Sequence, residues 1–425
     1  MKEEHLDVYK NRSVLHSKDT STTFLEGRQS DAAKKRYEEI VTAFDAGFYS
    51  KAMNDIPSLL MHESLSEEHK NLIKSLVDGL TSEVGRAIVG LSCLQLAIKS
   101  ISQEQSVRLH KGGQRQGGFS WQEGISMRTL DNRYNTPFLR EYGLLNMNKD
   151  GIMMTRSLAE NYPYSRLYKA ELRGPVSHWI SIVEALEDNL LPPYPSLCLL
   201  LSMLKNRSDT FMKKADAMIY SVRQITDLTP QKVKNTLVSF FTTTSYSARP
   251  FEVVIHCFMQ SLSELKLADG TLVPLSQMRS ANKKHGNVGD VELKQGNMII
   301  ESWDAKYGKP YLRDELEELH DKLQHHSNVE VAGFISNTAV HRATDIESRV
   351  EELTLIHNCE IMLLSFDEWL EMKFLEISND KLPLVAKNWL IAVVESFGQK
   401  RLDLAPIDEP CDQWLDDLSK ALENL

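Results

Sequence analysis

Between Phe251 and Phe374 the apolar pattern switches repeatedly between a spacing of three to four residues and strict alternation. A chain that does this can bury its faces only by laying helices against a sheet. Helical spacing over Phe251–Leu267 gives way to extended segments at Val288–Leu293 and Met298–Lys306. A helix at Tyr311–His325, a strand at Val329–Ser336, a helix at Ala343–Ile356, a strand at Glu360–Ser365 and a helix at Asp367–Phe374 follow. The succession α-β-β-α-β-α-β-α predicts an α/β (α+β) architecture, a mixed sheet flanked by helices. The short Lys294–Asn297 connection predicts that the first two strands form a hairpin.

The rest of the 425-residue chain reads differently. Residues 1 to about 30 are polar, with a Ser/Thr run at Ser17–Thr23, and are expected to form a flexible arm. Residues 31–205 are expected to be mainly helical, residues 206–400 to hold the α/β core, and residues 401–425 to form an acidic helix. A capping-box pattern at Ser64 and Glu67 precedes Leu72, Ile73, Leu76, Val77, Leu80, Val84, Ile88 and Leu91, which share one helical stripe and read as core. Helical periodicity returns over Trp179–Leu204 and Asp209–Phe241, interrupted by Pro192-Pro193 and by Thr229-Pro230, where a new helix is expected to start.

Hydrophobic residues at 42% and charged residues at 25% match a globular protein. The start MKEEHLDVYKNR lacks the apolar centre of a signal peptide, and the runs Ala87–Ile98 and Leu197–Leu204 are too short to cross a bilayer, so the expectation is a cytoplasmic protein without a membrane partner. Cys93, Cys198, Cys257, Cys359 and Cys411 are scattered and odd in number, which reads as buried thiols and as neither a disulfide framework nor a zinc site.

Net charge is −10, yet it is unevenly spread. Gln105–Pro175 holds eleven Lys and Arg against six acids, and Lys205–Pro250 holds eight basic residues against three acids. An acidic protein with a basic middle can present one phosphate-binding side. Lys111–Ser120, KGGQRQGGFS, lets backbone approach a ligand, although no G-K-[ST] follows to make a Walker loop. Lys111, Arg115, Arg128, Arg133 and Arg156 are the candidate DNA contacts in this segment.

The chemistry concentrates in GDVELKQGNMIIESWDAKYGKPY, Gly289–Tyr311. In a strand Asp304 and Lys306 share a face with Ala305 opposite, and a hairpin would set Asp290 beside Asp304. Two adjacent carboxylates repel, and a hard cation such as Mg²⁺ relieves that repulsion. Lys306 is then placed to hold an attacking water and to offset charge growing on a phosphate. A rival E-x-K reading, Glu292-Leu293-Lys294 with Asp269, lies in the same stretch; the apolar MIIESW segment favours Asp304 and Lys306. The plain alternative for all of these residues is a solvated hairpin with cross-strand ion pairs.

The Gly289-Asp290 segment, Asp304-Ala305-Lys306, the following helix and the Val329–Ser336 strand resemble the PD-(D/E)XK nuclease core of type II restriction endonucleases, over about residues 245–370. The resemblance implies that Asp290 and Asp304 bind Mg²⁺, that the Ala305 carbonyl is a further ligand, that Lys306 assists the attacking water, and that Glu252 on the preceding helix joins them. Gly289 stands where the motif has proline, and Asp304 where glutamate is commoner. A second block, Gly117-Gly118-Phe119-Ser120, Arg128-Thr129-Leu130-Asp131, Thr136-Pro137-Phe138-Leu139, Thr155-Arg156-Ser157-Leu158 and Pro163-Tyr164, is similar to one in SacI-like restriction enzymes and implies target recognition by the basic middle. Together these imply Mg²⁺-dependent, sequence-specific cleavage of double-stranded DNA by a homodimer, since a palindromic site is two-fold symmetric. A DNA-binding regulator with an inactive nuclease-like core and a nonspecific repair nuclease are the alternatives.

Overall fold

The computed structural model describes residues 4–17, 20–60, 65–80, 83–113, 118–145, 147, 150–154, 156–172, 174–275, 287–309, 311–326, 328–398, 411–423 and 425. The chain divides into two compact units, Met1–Thr210 and Phe211–Leu425.

The first unit opens with a three-stranded antiparallel sheet where a flexible arm was expected: β1 (His5–Val8), β2 (Arg12–His16) and β3 (Ser21–Leu25), in that order. Its strands are half-polar because one face is open, while Leu15 and Phe24 turn the other onto Leu109, Phe119 and Trp121. The helices follow as α1 (Asp31–Asp45), α2 (Phe48–Leu60), α3 (Glu67–Asp78), α4 (Glu83–Ile101), α5 (Met127–Leu130), α6 (Thr136–Glu141) and α7 (Val176–Glu187). The cap of α3 is Ser66, whose Oγ accepts from His69 N at 3.2 Å; the expected cap, Ser64, lies outside the described residues. The stripe read from sequence is core, with Ile73, Leu76, Ile88 and Leu91 at most 1% exposed. The long helix α8 (Pro193–Gln224) starts at the Pro192-Pro193 interruption and continues unbroken across Leu204–Asp209, where the periodicity leaves a gap, through the point where the two units divide.

In the second unit, α9 (Pro230–Thr243), capped by Thr229, and α10 (Ala248–Glu264) lead to a five-stranded mixed sheet of order β4-β5-β6-β7-β8. The strands are β4 (Thr271–Leu272), β5 (Val291–Gln295), β6 (Met298–Lys306), β7 (Val329–Ser336) and β8 (Glu360–Ser365). Pairing is antiparallel from β4 to β6 and parallel from β6 to β8. The connecting helices are α11 (Arg313–Leu323), α12 (Thr344–His357) and α13 (Phe366–Leu375). They are followed by α14 (Leu382–Phe397) and a final helix, Cys411–Leu422.

A register shift between Leu293 and Lys294 breaks the β5–β6 ladder and decides which way β6 faces. Beyond it Trp303 enters the core shared with α10, α13 and α14, while Asp304 turns toward α11. Trp303 sits opposite Gly333 in register, and a Cβ on Gly333 would lie 2.7 Å from the indole and 2.4 Å from Met362 O. The indole Nε1 donates to Glu301 Oε2 at 2.7 Å, and the buried Lys373 ammonium donates to Glu301 Oε1 at 2.8 Å. The four cysteines whose side chains are described are buried free thiols. Among the described residues no helix is long and apolar enough to cross a membrane.

Because backbone carbonyl and indole both press on Gly333, Gly333→Ala is expected to cost about 1–3 kcal/mol by overpacking. A lowered urea midpoint with unchanged slope is the check; an unchanged midpoint would show that the indole yields freely.

Candidate active site

The hairpin turns at Gly296, which has φ +63°, and β5 extends to Gln295, so the connection is shorter than the expected Lys294–Asn297. Asp290 was expected within a Val288–Leu293 strand, but β5 begins only at Val291, and Asp290 stands in the bend before it. Two local devices hold that bend. The buried Glu292 carboxylate accepts from Val288 N at 2.6 Å and Gly289 N at 3.3 Å. Gly289 itself lies so close to β6 that a Cβ would sit 2.7 Å from Trp303 O, so the position favours glycine.

Thus held, Asp290 and Asp304 come together. Asp290 Oδ2 accepts from Ala305 N at 3.0 Å, and the Asp290 and Asp304 carboxyls are in hydrogen-bond contact. The Asp290 pKa is driven well above the usual carboxylate range by desolvation and by the charges of Asp304 and Glu252. Since one side of Asp290 is open to solvent, the like charges are the firmer cause. Among the described residues no cation pairs with it.

Lys306 is on the same face as Asp304, with Nζ 3.2 Å from Asp304 Oδ1 and 2.7 Å from Glu315 Oε2 on α11. Burial disfavours its ammonium, but Asp304 and Glu315 outweigh burial and raise its pKa. Lys306 therefore stays protonated, a donor and a positive charge and not a base. Glu252, buried on α10, pairs with Arg249; burial and the Asp304 charge raise its pKa against that pairing. All four expected residues, Glu252, Asp290, Asp304 and Lys306, thus fall in one electrostatic cluster, with Ala305 between the last two.

Three members of the cluster escaped the sequence reading. Glu315 bridges Lys306 and Lys309, and Lys322 Nζ lies 3.5 Å from Asp304 Oδ2 while donating to Val288 O at 3.1 Å. Their signal was present: Glu315, Leu319 and Lys322 lie at i, i+4 and i+7, so two charges sit beside the buried stripe Leu312, Leu316, Leu319, Leu323. The rival E-x-K set is not assembled. Lys294 pairs with Glu292 at 2.7 Å, but Glu292 reaches back to Val288, whereas Asp269 is exposed before β4, beyond the Thr271–Lys294 pair.

Can the cluster hold a cation? Asp290 and Asp304 supply carboxylate oxygens and, among the described residues, Asp290 has no counter-charge, which suits a hard, oxygen-binding ion such as Mg²⁺. The residues present fit that ion.

The candidate DNA contacts are less concentrated. Lys111 stands 5.7 Å from the Phe119 ring centroid and donates to Asn161 Oδ1, and it feels the charge of Arg128. Arg128 is exposed, with one arm donating to Met153 O at 2.6 Å; Arg133 pairs with Asp45 at 3.0 Å and lies over Tyr134. Arg115 lies outside the described residues, and Arg156 starts a 3-10 turn. Much of the second block is scaffold: buried Asp131 accepts from Asn135 at 3.0 Å, Thr136 at 2.9 Å and Ile152 N at 2.6 Å, and Tyr164 OH donates to Leu158 O at 2.6 Å.

Two outcomes follow from these placements. Glu292→Ala strands two amides in the bend that carries Asp290 and should cost about 1–3 kcal/mol, while Glu292→Gln, which keeps an acceptor oxygen, should recover most of it; equal midpoints for alanine variant and parent would refute the clamp. His110, buried and stacked on Tyr164 at 4.5 Å, has its pKa lowered from 6.5 to about 4 by burial and by Lys111, against nearby backbone carbonyls. As pH falls from about 6.5 toward 4 the unfolded chain gains a proton that the folded chain refuses, so stability drops through that window. At pH 5 the loss is on the order of 2 kcal/mol, and it should vanish from the pH profile of His110→Gln, measured by urea unfolding.

The chain matches no protein-family model and no curated protein, so the functional reading rests on the residues themselves.

Proposed function

We propose that the second unit is a Mg²⁺-dependent endodeoxyribonuclease core of PD-(D/E)XK type, acting with the basic Gln105–Pro175 segment of the first unit on a specific sequence in double-stranded DNA. The observation that carries this reading is the contact between the Asp290 and Asp304 carboxyls with the Lys306 ammonium 3.2 Å from Asp304. The order β5, β6, α11, β7 supports it as well.

Asp290, Asp304 and the Ala305 carbonyl would hold the ion, which when bound supplies charge for a phosphate oxygen and lowers the pKa of water. Lys306 remains an ammonium; it donates to the attacking water, orients it in line with the scissile phosphate, and offsets the charge that grows there. Glu315 keeps Lys306 aimed and protonated. Glu252 adds negative charge behind the pair, which favours a divalent ion. Lys322 and Lys309, both partly exposed, are suited to phosphate oxygens beside the cut. Exposed Arg128 and the Lys111 segment supply contacts for recognition, and a homodimer supplies one site for each strand.

One observation favours a second reading, a DNA-binding protein whose core does not cut: Lys322 already neutralises part of Asp304. A single experiment separates the two. Purified protein incubated with phage DNA and Mg²⁺ should yield discrete fragments, and chelation should abolish them. Asp304→Ala and Lys306→Ala should each slow cleavage by about 10²-fold or more while DNA binding persists. A smear indicates a nuclease without sequence preference, and binding without Mg²⁺-dependent cleavage indicates the regulator.

A further inference from the structure

The open face of the N-terminal sheet carries a constellation that the nuclease reading does not use. Residues two apart on a strand share a face, so His5 and Asp7 project together from β1, and the register sets His16 of β2 directly opposite His5. The two imidazoles stack with centroids 4.3 Å apart and planes at 17°. Their Nε2 atoms converge on one carboxylate oxygen, with Asp7 Oδ2 3.2 Å from His16 and 3.9 Å from His5. All three ligand atoms lie within 4.8 Å of one another.

We propose that His5 Nε2, Asp7 Oδ2 and His16 Nε2 bind a zinc-class divalent ion, with water completing the coordination on the solvent side. Metal–ligand distances near 2.1 Å and tetrahedral angles set the ligand atoms about 3.4 Å apart, against 3.2 and 3.9 Å from the two imidazoles to Asp7 here. Two imidazoles and one carboxylate suit zinc and its transition-metal neighbours, whereas magnesium takes oxygen donors. His16 is also braced from behind: Nδ1 is 2.8 Å from Ser21 Oγ on β3. In the tautomer whose Nδ1–H donates to that hydroxyl, Nε2 turns a lone pair toward Asp7. A simple His–Asp hydrogen bond would need only His16; the third donor, His5, is what makes a chelate.

The ion would have structural work to do. A three-stranded sheet with a core of Phe24, Leu109 and Trp121 buries little apolar surface. Tying β1 to β2 stiffens that sheet, and β3 passes the restraint on. Gln122 N donates to Leu25 O at 2.9 Å, Gly27 N to Ser120 O at 2.9 Å, and Trp121 N to Lys111 O at 2.9 Å. The metal thereby steadies the backbone that presents Lys111, independently of the Asp290–Asp304 centre.

The test uses the full chain, stripped with chelator and titrated with Zn²⁺, then with Co²⁺ as a spectroscopic substitute. We expect one zinc per chain in the parent and in Asp304→Ala, a higher melting temperature with zinc than without, and a Co²⁺ visible spectrum of tetrahedral type. His5→Ala and His16→Ala should each lose at least tenfold in zinc affinity and lose the cobalt bands. If both variants bind zinc as the parent does, or the parent binds none, the proposal fails. Should His16→Ala disturb the sheet, His5→Ala decides alone, since the His5 side chain is 53% exposed on the outer strand. Loss of DNA cleavage in Asp304→Ala with zinc retained would keep the two centres distinct.

Discussion

Trp303 lying across Gly333 is the contact on which the second unit turns. The indole fills the space that a side chain on β7 would take, and Glu301 and Lys373 hold its nitrogen edge. Because side chains alternate across a strand, committing Trp303 to the core commits Asp304 to the other face. The register shift at Leu293 and Lys294 makes this possible, since it lets Ile299 and Trp303 fill different cores from one strand. Asp304 is thus aimed by an aromatic ring one residue away.

The resulting cluster is electrostatically unfinished. Lys306, Lys309 and Glu315 neutralise one another in a chain of contacts, and Arg249 answers Glu252. Asp290 is left against Asp304 with a raised pKa and, among the described residues, no cation of its own. A fold selected only for stability would replace one of the two acids, because like charges at hydrogen-bond distance oppose folding. The two acids stand on segments joined by a tight hairpin, braced by Glu292 and by the closeness of Gly289 to β6. The phosphodiester reading rests on that imbalance more than on the motif.

The first unit shows the opposite economy. Several of its basic residues are engaged in ion pairs, Arg133 with Asp45, Arg166 with Glu184 and Arg36 with Glu123. Exposed ion pairs of this kind contribute little stability and exchange partners readily, so a phosphate can take the place of a carboxylate. Buried Asp131, His110 and Tyr164 organise the loops beneath them. The residues that make the second block distinctive are therefore mostly its framework, and any base reading falls to the side chains around it.

By itself the sequence determined the element types over Phe251–Phe374 apart from the two-residue edge strand β4, with β7 and β8 to the residue, because alternation and helical spacing are local properties that a strand or helix must satisfy wherever it lies. It also determined that Asp304 and Lys306 share a face. It did not reveal the three-stranded N-terminal sheet, whose polar outer face erases the apolar alternation, nor the bend at Asp290, where Glu292 and the close approach of β6 override the strand pattern. Only the tertiary structure brought Glu315 and Lys322 from α11 to Asp304, and His5 to His16 across a hairpin, since such meetings depend on register and on the packing of distant segments, which no window of sequence contains.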